Sequence, residues 1–392
     1  MRITRADRSR FAEWWFTVDT ALLSAILVLV VTGLVLSLAA SPAVAIKKGF
    51  DTYYFFERHV AFSAIGVVVM LSISLLEPSA VRRLALVILL ASLVGLVAVA
   101  LTGAEINGAR RWLSLAGHSL QPSELAKPGF VVVSAWLLAE TRRRPDMPAL
   151  WLAAALLALL AGLLVAQPDI GQTLLVALVW GALYFLSGQP WLGALALMLL
   201  AAAGLLAAYL TFPHVEARID RFWSPASGDN TQVDRAMQSF AEGGFLGRGP
   251  GEGQIKSVLP DAHTDFIFAV VAEEYGVLAC LALLALFAFI VTRALARSLV
   301  ESDAFVRLSI QGLALLFGAQ ALINMAVNVG LAPAKGMTLP FISAGGSSML
   351  GISVALGMLS SLTRRRPDAR RARRPPVITS QTPSHPQISR PT

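Results

Sequence analysis

Apolar runs of about 18 to 25 residues recur along this 392-residue chain, each long enough to cross a hydrocarbon core about 30 Å thick. A backbone inside a bilayer has to satisfy its own hydrogen bonds, so an open chain of such runs folds as helices. Hydrophobic residues make up 56% of the sequence and charged residues 14%, which leaves few charges to solvate the surface of a water-soluble domain. The expected class is all-α, a polytopic integral membrane protein.

Ten spans are predicted, near 21–40, 60–76, 84–101, 125–138, 149–166, 170–186, 191–212, 266–291, 305–331 and 341–362. The fourth is the least apolar, with Lys127 and Pro128 near its start, yet omitting it would put Arg142, Arg143 and Arg144 on the opposite side of the membrane from the other basic clusters. Lys and Arg set the orientation. With a cytoplasmic N-terminus, the cytoplasmic side holds four in the N-terminal arm, two at Arg82 and Arg83, three at Arg142 to Arg144, three at Arg293, Arg297 and Arg307, and eight in the tail, together twenty of the 32. Both termini are therefore expected in the cytoplasm, consistent with an even number of spans.

The organisation that follows is a cytoplasmic arm over 1–20, a membrane domain over 21–362 with a long extracytoplasmic loop at 213–264, and a disordered basic tail over 363–392. The tail's arginines suit a positive-inside signal and also anionic lipid or a partner. The first span follows four arginines and Trp14-Trp15 and has no small-residue cleavage site, so it is expected to stay as an anchor. A single cysteine, Cys280, lies inside the eighth span and excludes a disulfide framework.

Polar residues concentrate on the predicted outer face. Arg110, Arg111 and Trp112 follow Asn107-Gly108-Ala109; two guanidiniums beside an indole suit a polyanionic, partly apolar ligand or, equally, an interfacial anchor. Gln121-Pro122-Ser123-Glu124-Leu125-Ala126-Lys127 places Glu124 and Lys127 three residues apart, on one helical face, where an ion pair is the plainer reading. Gln167-Pro168-Asp169 is a short turn whose carboxylate either caps the sixth span or faces a ligand.

The 213–264 loop carries Gly243, Gly244, Gly247, Gly249, Gly251 and Gly253, then Lys256; with no following Lys-Ser or Lys-Thr and no preceding strand, this is no nucleotide-binding loop. It ends in Leu259-Pro260-Asp261-Ala262-His263-Thr264-Asp265-Phe266. Thr264 or Asp265 capping the eighth helix is the plainer reading, and the functional one is Asp265 as a partly desolvated general base at the membrane edge. Glu273 and Glu274 lie inside the same span, where carboxylates are functional candidates by default. The last outer segment runs from Asn324 and Asn328 through Pro333, Lys335, Ser343, Gly345, Gly346, Ser347 and Ser348, and its small residues permit a broken or closely packed helix end.

Five of these motifs, in this order over roughly Trp14 to Arg366, resemble the SEDS family of bacterial cell-wall polymerases (FtsW, RodA and SpoVE), a fold of ten membrane helices. Lys335 to Pro340, Gly345 to Ser348 and the Gly-Pro-Gly-Glu-Gly run before Lys256 look most like its cell-division branch. One departure is Ala344, where the family commonly has Tyr.

The resemblance implies a peptidoglycan glycosyltransferase that polymerises lipid II on the outer face of the cytoplasmic membrane, with Asp265 deprotonating the acceptor sugar's 4-hydroxyl. Arg110, Arg111, Trp112, Gln121, Ser123, Glu124, Lys127, Gln167, Asp169, Lys256, His263, Thr264, Lys335, Ser343, Gly345, Gly346 and Ser347 are the candidate substrate-binding residues. The cations would hold pyrophosphate, no metal ligand set is seen, and a divalent cation could share that work. Expected partners are lipid II, membrane lipid, a class B penicillin-binding protein transpeptidase like FtsI and other division proteins at the septum, with no nucleic acid. Two other classes stay open: a lipid II flippase and a noncatalytic division scaffold.

Overall fold

The structure is a computed structural model and describes residues 9–106, 109–115, 118–211, 215–216, 220, 231–333 and 336–365. In chain order its helices are α1 (Arg10–Thr17), α2 (Thr20–Lys47), α3 (Tyr54–Ser74), α4 (Pro78–Thr102), α5 (Pro122–Arg143), α6 (Ala149–Ala166), α7 (Ile170–Leu186), α8 (Trp191–Thr211), α9 (Thr231–Gly243), α10 (Ile267–Leu299), α11 (Ala304–Asn328) and α12 (Gly346–Leu362). Between α4 and α5 lies a small antiparallel sheet, β1 (Ala104–Ile106), β2 (Ala109–Leu115) and β3 (His118–Leu120), in the order β1-β2-β3. These strands were not foreseen; the segment is short, polar and without sustained alternation, so its sequence reads as a loop.

A helix overlaps each predicted span, though α12 begins at Gly346 rather than at 341 and α11 ends at Asn328 rather than at 331. Among the described residues seven helices, α2, α3, α4, α6, α8, α10 and α11, are long and apolar enough to cross a membrane, while α7 and α12 are apolar but shorter. Their surfaces show why. On α4, Val81, Ala85, Leu89, Leu96 and Val99 are buried against the protein, whereas Leu86, Val87, Leu90, Val94, Val97 and Leu101 are exposed on the opposite side. A helix apolar on both faces belongs where the outer medium is also apolar. α8 is exposed along most of its length.

α5 is the inverse case. It is buried nearly throughout, with Phe130, Val132, Ala135 and Leu138 in the core, and its charges Glu124 and Lys127 face protein rather than lipid. That arrangement explains its low apolarity as a span.

At the start of α2, Asp19 caps the helix through the Leu22 N–H (3.2 Å) and holds Arg293 (3.1 Å) and Arg297. Residues 363–365, expected in the disordered tail, are instead docked. Arg364 is buried and binds Glu13 (3.0 Å), the Thr17 hydroxyl (2.9 Å) and the Leu75 carbonyl (3.2 Å). These partners come from α1 and from the residue that follows α3, so they are invisible to a composition argument. The tail beyond Arg365 and the first eight residues of the arm lie outside the described residues.

α10 is interrupted at Gly276, whose backbone turns to φ 79° and ψ 176°. The glycine-rich loop fills the break. The Arg248 and Gly249 N–H groups donate to the Glu273 and Glu274 carbonyls (2.9 and 3.0 Å), and the Val277 and Leu278 N–H groups donate to Gly244 and Phe245 (3.0 and 3.3 Å). Backbone groups released by the break thus find partners without water. A β-carbon on Gly247, at φ 80°, would sit 2.2 Å from the Glu274 carbonyl oxygen, so the approach requires glycine.

Candidate active site

Three segments converge on Asp265. The first is the turn 261–266, in which the Asp261 carbonyl accepts the Thr264 N–H (3.0 Å), the Phe266 N–H (3.3 Å) and the Thr264 hydroxyl (3.2 Å). The second is the segment 336–345, tied to that turn by the Ser343 hydroxyl, which donates to the Thr264 carbonyl (2.6 Å) and accepts from the Leu339 N–H (2.7 Å). The Ala344 N–H closes the junction on the His263 carbonyl (3.0 Å).

The third segment is the end of α11. Asn324 and Asn328 each donate a side-chain N–H to the Asp265 main-chain carbonyl at 2.9 Å, and Asn324 also donates to the Met337 carbonyl (2.6 Å). Asn328 Oδ1 accepts the Ala269 N–H at 3.0 Å. That last bond corrects an expectation: neither Thr264 nor Asp265 caps α10, whose N-cap is Phe266 without a side-chain bond. A residue 59 positions away takes over the capping work.

With its backbone fixed, the Asp265 side chain is half-buried, and among the described residues no donor engages its carboxylate. Burial, reinforced by the neighbouring charge of Asp261, raises its pKa from the usual carboxylate range to about 7. His263 goes the other way. Its ring packs 4.6 Å from that of Phe55 and is buried, and burial, with Lys48 nearby, lowers its pKa to about 4. At neutral pH the imidazole is uncharged and a weak base, whereas Asp265 is poised to exchange a proton.

A second polar cluster lies at the start of α5. Lys127 pairs with Glu124 at 2.8 Å, both buried, and its ammonium donates to Gln320 Oε1 at 2.9 Å. Gln172 donates to the other Glu124 oxygen at 2.7 Å. Gln320 in turn donates to the Thr338 carbonyl at 3.1 Å, which links this cluster to the segment beside Asp265.

Asp169 caps α7 through the Gln172 N–H (3.5 Å) and meets Gln121 Nε2 at the same distance, and burial raises its pKa. Arg111 spans the Gln167 carbonyl (3.2 Å) and the Pro168 carbonyl, and Gln167 Nε2 reaches the Leu96 carbonyl (2.9 Å). Ser347 accepts from the Gln121 N–H (3.0 Å), joining α12 to the strand that enters α5. Gly346 packs beneath the Phe62 ring, where a β-carbon would lie 2.8 Å from the nearest ring atom.

The family follows from the whole chain. Residues 20–367 match the model of the FtsW/RodA/SpoVE family, described as a cell cycle protein. The chain belongs to that family. A probable peptidoglycan glycosyltransferase FtsW of Caulobacter vibrioides is 43% identical over 366 residues, covering 93% of this chain and 94% of the relative. The same name is carried by a Trichlorobacter lovleyi protein, 34% identical and covering 90% and 94%. Among solved structures, a chain from a peptidoglycan synthase complex, reported for its coordination of polymerization and crosslinking, aligns with a TM-score of 0.74 at 29% identity, covering 88% of this chain and 97% of that one. The rod shape determining protein RodA of Thermus thermophilus aligns at 0.65 and 28% identity, covering 89% and 97%.

Within this family member the predicted site residues divide. His263, Thr264, Asp265, Ser343, Gly345 and Gly346 belong to the turn and the segment around Asp265. Glu124, Lys127, Gln121, Gln167, Asp169, Ser347 and Arg111 form the neighbouring cluster, Ser123 is buried next to Glu124 on α5, and Trp112 and the exposed Arg110 lie on β2. Lys256 stands apart: it is buried and bonds Glu274, the Ala39 carbonyl (3.2 Å) and the Gly251 carbonyl (3.1 Å). Glu273 accepts the N–H groups of Gln254, Ile255 and Lys256 at 2.6, 2.8 and 3.2 Å, so both buried carboxylates are engaged in holding the loop. Lys335 lies outside the described residues, as do Asn107 and Gly108. The Ala344 contact is made by its main chain, which any residue supplies. Sequence reasoning gave no role to Gln320, Asn324 and Asn328, although amides recurring every fourth residue in an apolar span were a readable signal.

Proposed function

We infer that this chain is a peptidoglycan glycosyltransferase, and that Asp265 is its general base. The observation that carries the assignment is a carboxylate whose backbone is fixed from two α11 amides while its oxygens are left to a substrate, with a pKa near neutrality. Asp265 takes the proton from the acceptor sugar's 4-hydroxyl. The oxygen so exposed attacks the anomeric carbon of the donor glycan, a C–O bond forms, and the bond from that carbon to the polyprenyl pyrophosphate breaks. The relatives' names support this reading. Lys127 is linked through Gln320 to the segment beside Asp265, whereas Lys256 is tied to Glu274 and two carbonyls elsewhere, so the pyrophosphate is assigned to Arg110, Arg111, Lys127 and Lys335. Among the described residues no group of three His, Cys, Asp or Glu is arranged to hold a metal ion, so a divalent cation sharing that role would have to draw ligands from the pyrophosphate.

The same reading assigns ten spans with both termini in the cytoplasm, an inner-membrane protein at the division septum. It works with a class B penicillin-binding protein transpeptidase and other division proteins. The match to a chain from a peptidoglycan synthase complex supports the pairing. Purified protein with its transpeptidase partner, given lipid II, is expected to form glycan strands that are lost in Asp265→Ala. Equal polymerisation by the variant overturns the assignment, and transfer of labelled lipid II across vesicles without polymer formation identifies a flippase instead.

A further inference from the structure

Gln320, Asn324 and Asn328 recur at every fourth position of α11 and therefore form one stripe along the helix. All three are buried in a span that is otherwise apolar. Unbonded amides in such a place are costly, and these are bonded to the segments that carry the chemistry rather than to each other alone. Asn324 and Asn328 hold the Asp265 carbonyl; Asn324 also holds Met337, and Gln320 bridges Lys127 to Thr338. Between the two ends lies Gly336, at φ 64°, where a β-carbon would stand 3.6 Å from Asp265 Oδ2.

We propose that Asn324 is a positioning residue for the base, and that Gln320 fixes the Glu124–Lys127 pair to the same 336–339 segment, so the stripe sets the separation of base and cation. The proposal rests on Asp265 as the base. The geometry has one direction of dependence. Asn324 Nδ2 donates to two carbonyls on different segments, so removing it cuts the tie between turn and strap that lies at the reacting residue itself, while the Ser343 and Ala344 bonds at 263–264 and the Asn328 bond remain. Gln320 uses both ends of its amide, oxygen toward Lys127 and nitrogen toward Thr338, and no residue with a single polar function can replace it.

The test uses the full chain with its transpeptidase partner and lipid II, comparing the parent with Asp265→Ala, Asn324→Ala, Asn324→Asp, Gln320→Met and the Gln320→Met/Asn324→Ala double variant. Asn324→Asp fills the same volume but offers acceptors to two carbonyl acceptors, so it is expected to fail as Asn324→Ala does. A misplaced base costs about 100-fold in kcat with KM held within about threefold. The acid limb of the pH–rate profile is expected to move to lower pH in Asn324→Ala, because a loosened turn lets water reach the carboxylate. A residue that merely supports the fold would lower stability and leave that limb in place. Because the two amides act through one strap, the double variant is expected to be about as slow as Asn324→Ala rather than slower by the product of both effects.

Asn324→Ala with kcat within about threefold of the parent overturns the proposal, as does a loss with an unmoved pH limb. If Asp265→Ala polymerises as well as the parent, the general-base assignment fails and the positioning role falls with it. If Asp265→Ala is inactive and Asn324→Ala is not impaired, the positioning role alone fails.

Discussion

Replacing Lys256 by methionine keeps most of the side chain's volume and removes a cation bonded to Glu274, whose side chain is 0% exposed against 8% for Lys256. Two carbonyls, Ala39 and Gly251, lose their donor at the same time. Glu274 keeps the Gly251 N–H at 3.1 Å but is left as a buried charge without a counter-ion. Breaking one side of such a pair costs about 3–5 kcal/mol, because the remaining charge is neither solvated nor neutralised. Thermal unfolding in detergent is expected to show that loss for Lys256→Met and a smaller one for Lys256→Met/Glu274→Gln, in which no charge is stranded. Polymerisation per folded molecule should stay close to the parent in the double variant. A Lys256→Met protein of full stability and no activity would refute the reasoning and return Lys256 to the substrate.

Three further outcomes are expected. The kcat/KM for polymerisation should rise with pH through about 7, as the Asp265 carboxylate deprotonates, and Asp261→Asn should move this limb to lower pH by removing the nearby negative charge; a limb that stays put excludes Asp261 as a contributor. Folded Asp265 binds its proton more tightly than the unfolded chain does, so its contribution to stability falls as pH rises from about 4 to about 7. Asp265→Asn is therefore expected to be inactive yet more stable than the parent at pH 8, measured by thermal unfolding, and equal or lower stability there contradicts the desolvated carboxylate. In Gly276→Ala the new β-carbon would lie 2.3 Å from the Phe245 carbonyl oxygen at a φ of 79°, a strain of about 1–3 kcal/mol or more that should lower the unfolding temperature; an unchanged temperature shows that the loop yields without loss.

What the chain revealed before folding was whatever its neighbours in sequence decide. Helix positions were legible because an apolar run of span length has few alternatives in a bilayer, and the Glu124–Lys127 pair because three residues along a helix bring side chains together. Asp265 was legible as a candidate and illegible in its surroundings. Its helix-cap reading failed because the competing acceptor, Asn328 Oδ1, sits on another span, and the sequence around residue 265 carries no trace of it. Glu273 and Glu274 were singled out because buried carboxylates in a span are expensive, and the expense is real. It is met by four main-chain N–H groups and a lysine from a loop about twenty residues earlier, which packs into the gap opened at Gly276.

The glycine run and the paired glutamates were thus two halves of one device, although in the sequence the first read as no nucleotide-binding loop and the second as functional candidates. Their union has a consequence for the site. The loop that leads into the 261–266 turn is anchored at Glu273 and Glu274, on the same short helical segment that begins at Ile267, so the turn is held at both of its ends by α10. Asp265 therefore gains its fixed position from two directions, the α10 break below and the α11 amides beside it. A carboxylate kept half-buried without a bonded partner among the described residues needs such support, because an unsupported turn would relax toward water and return its pKa to the ordinary range.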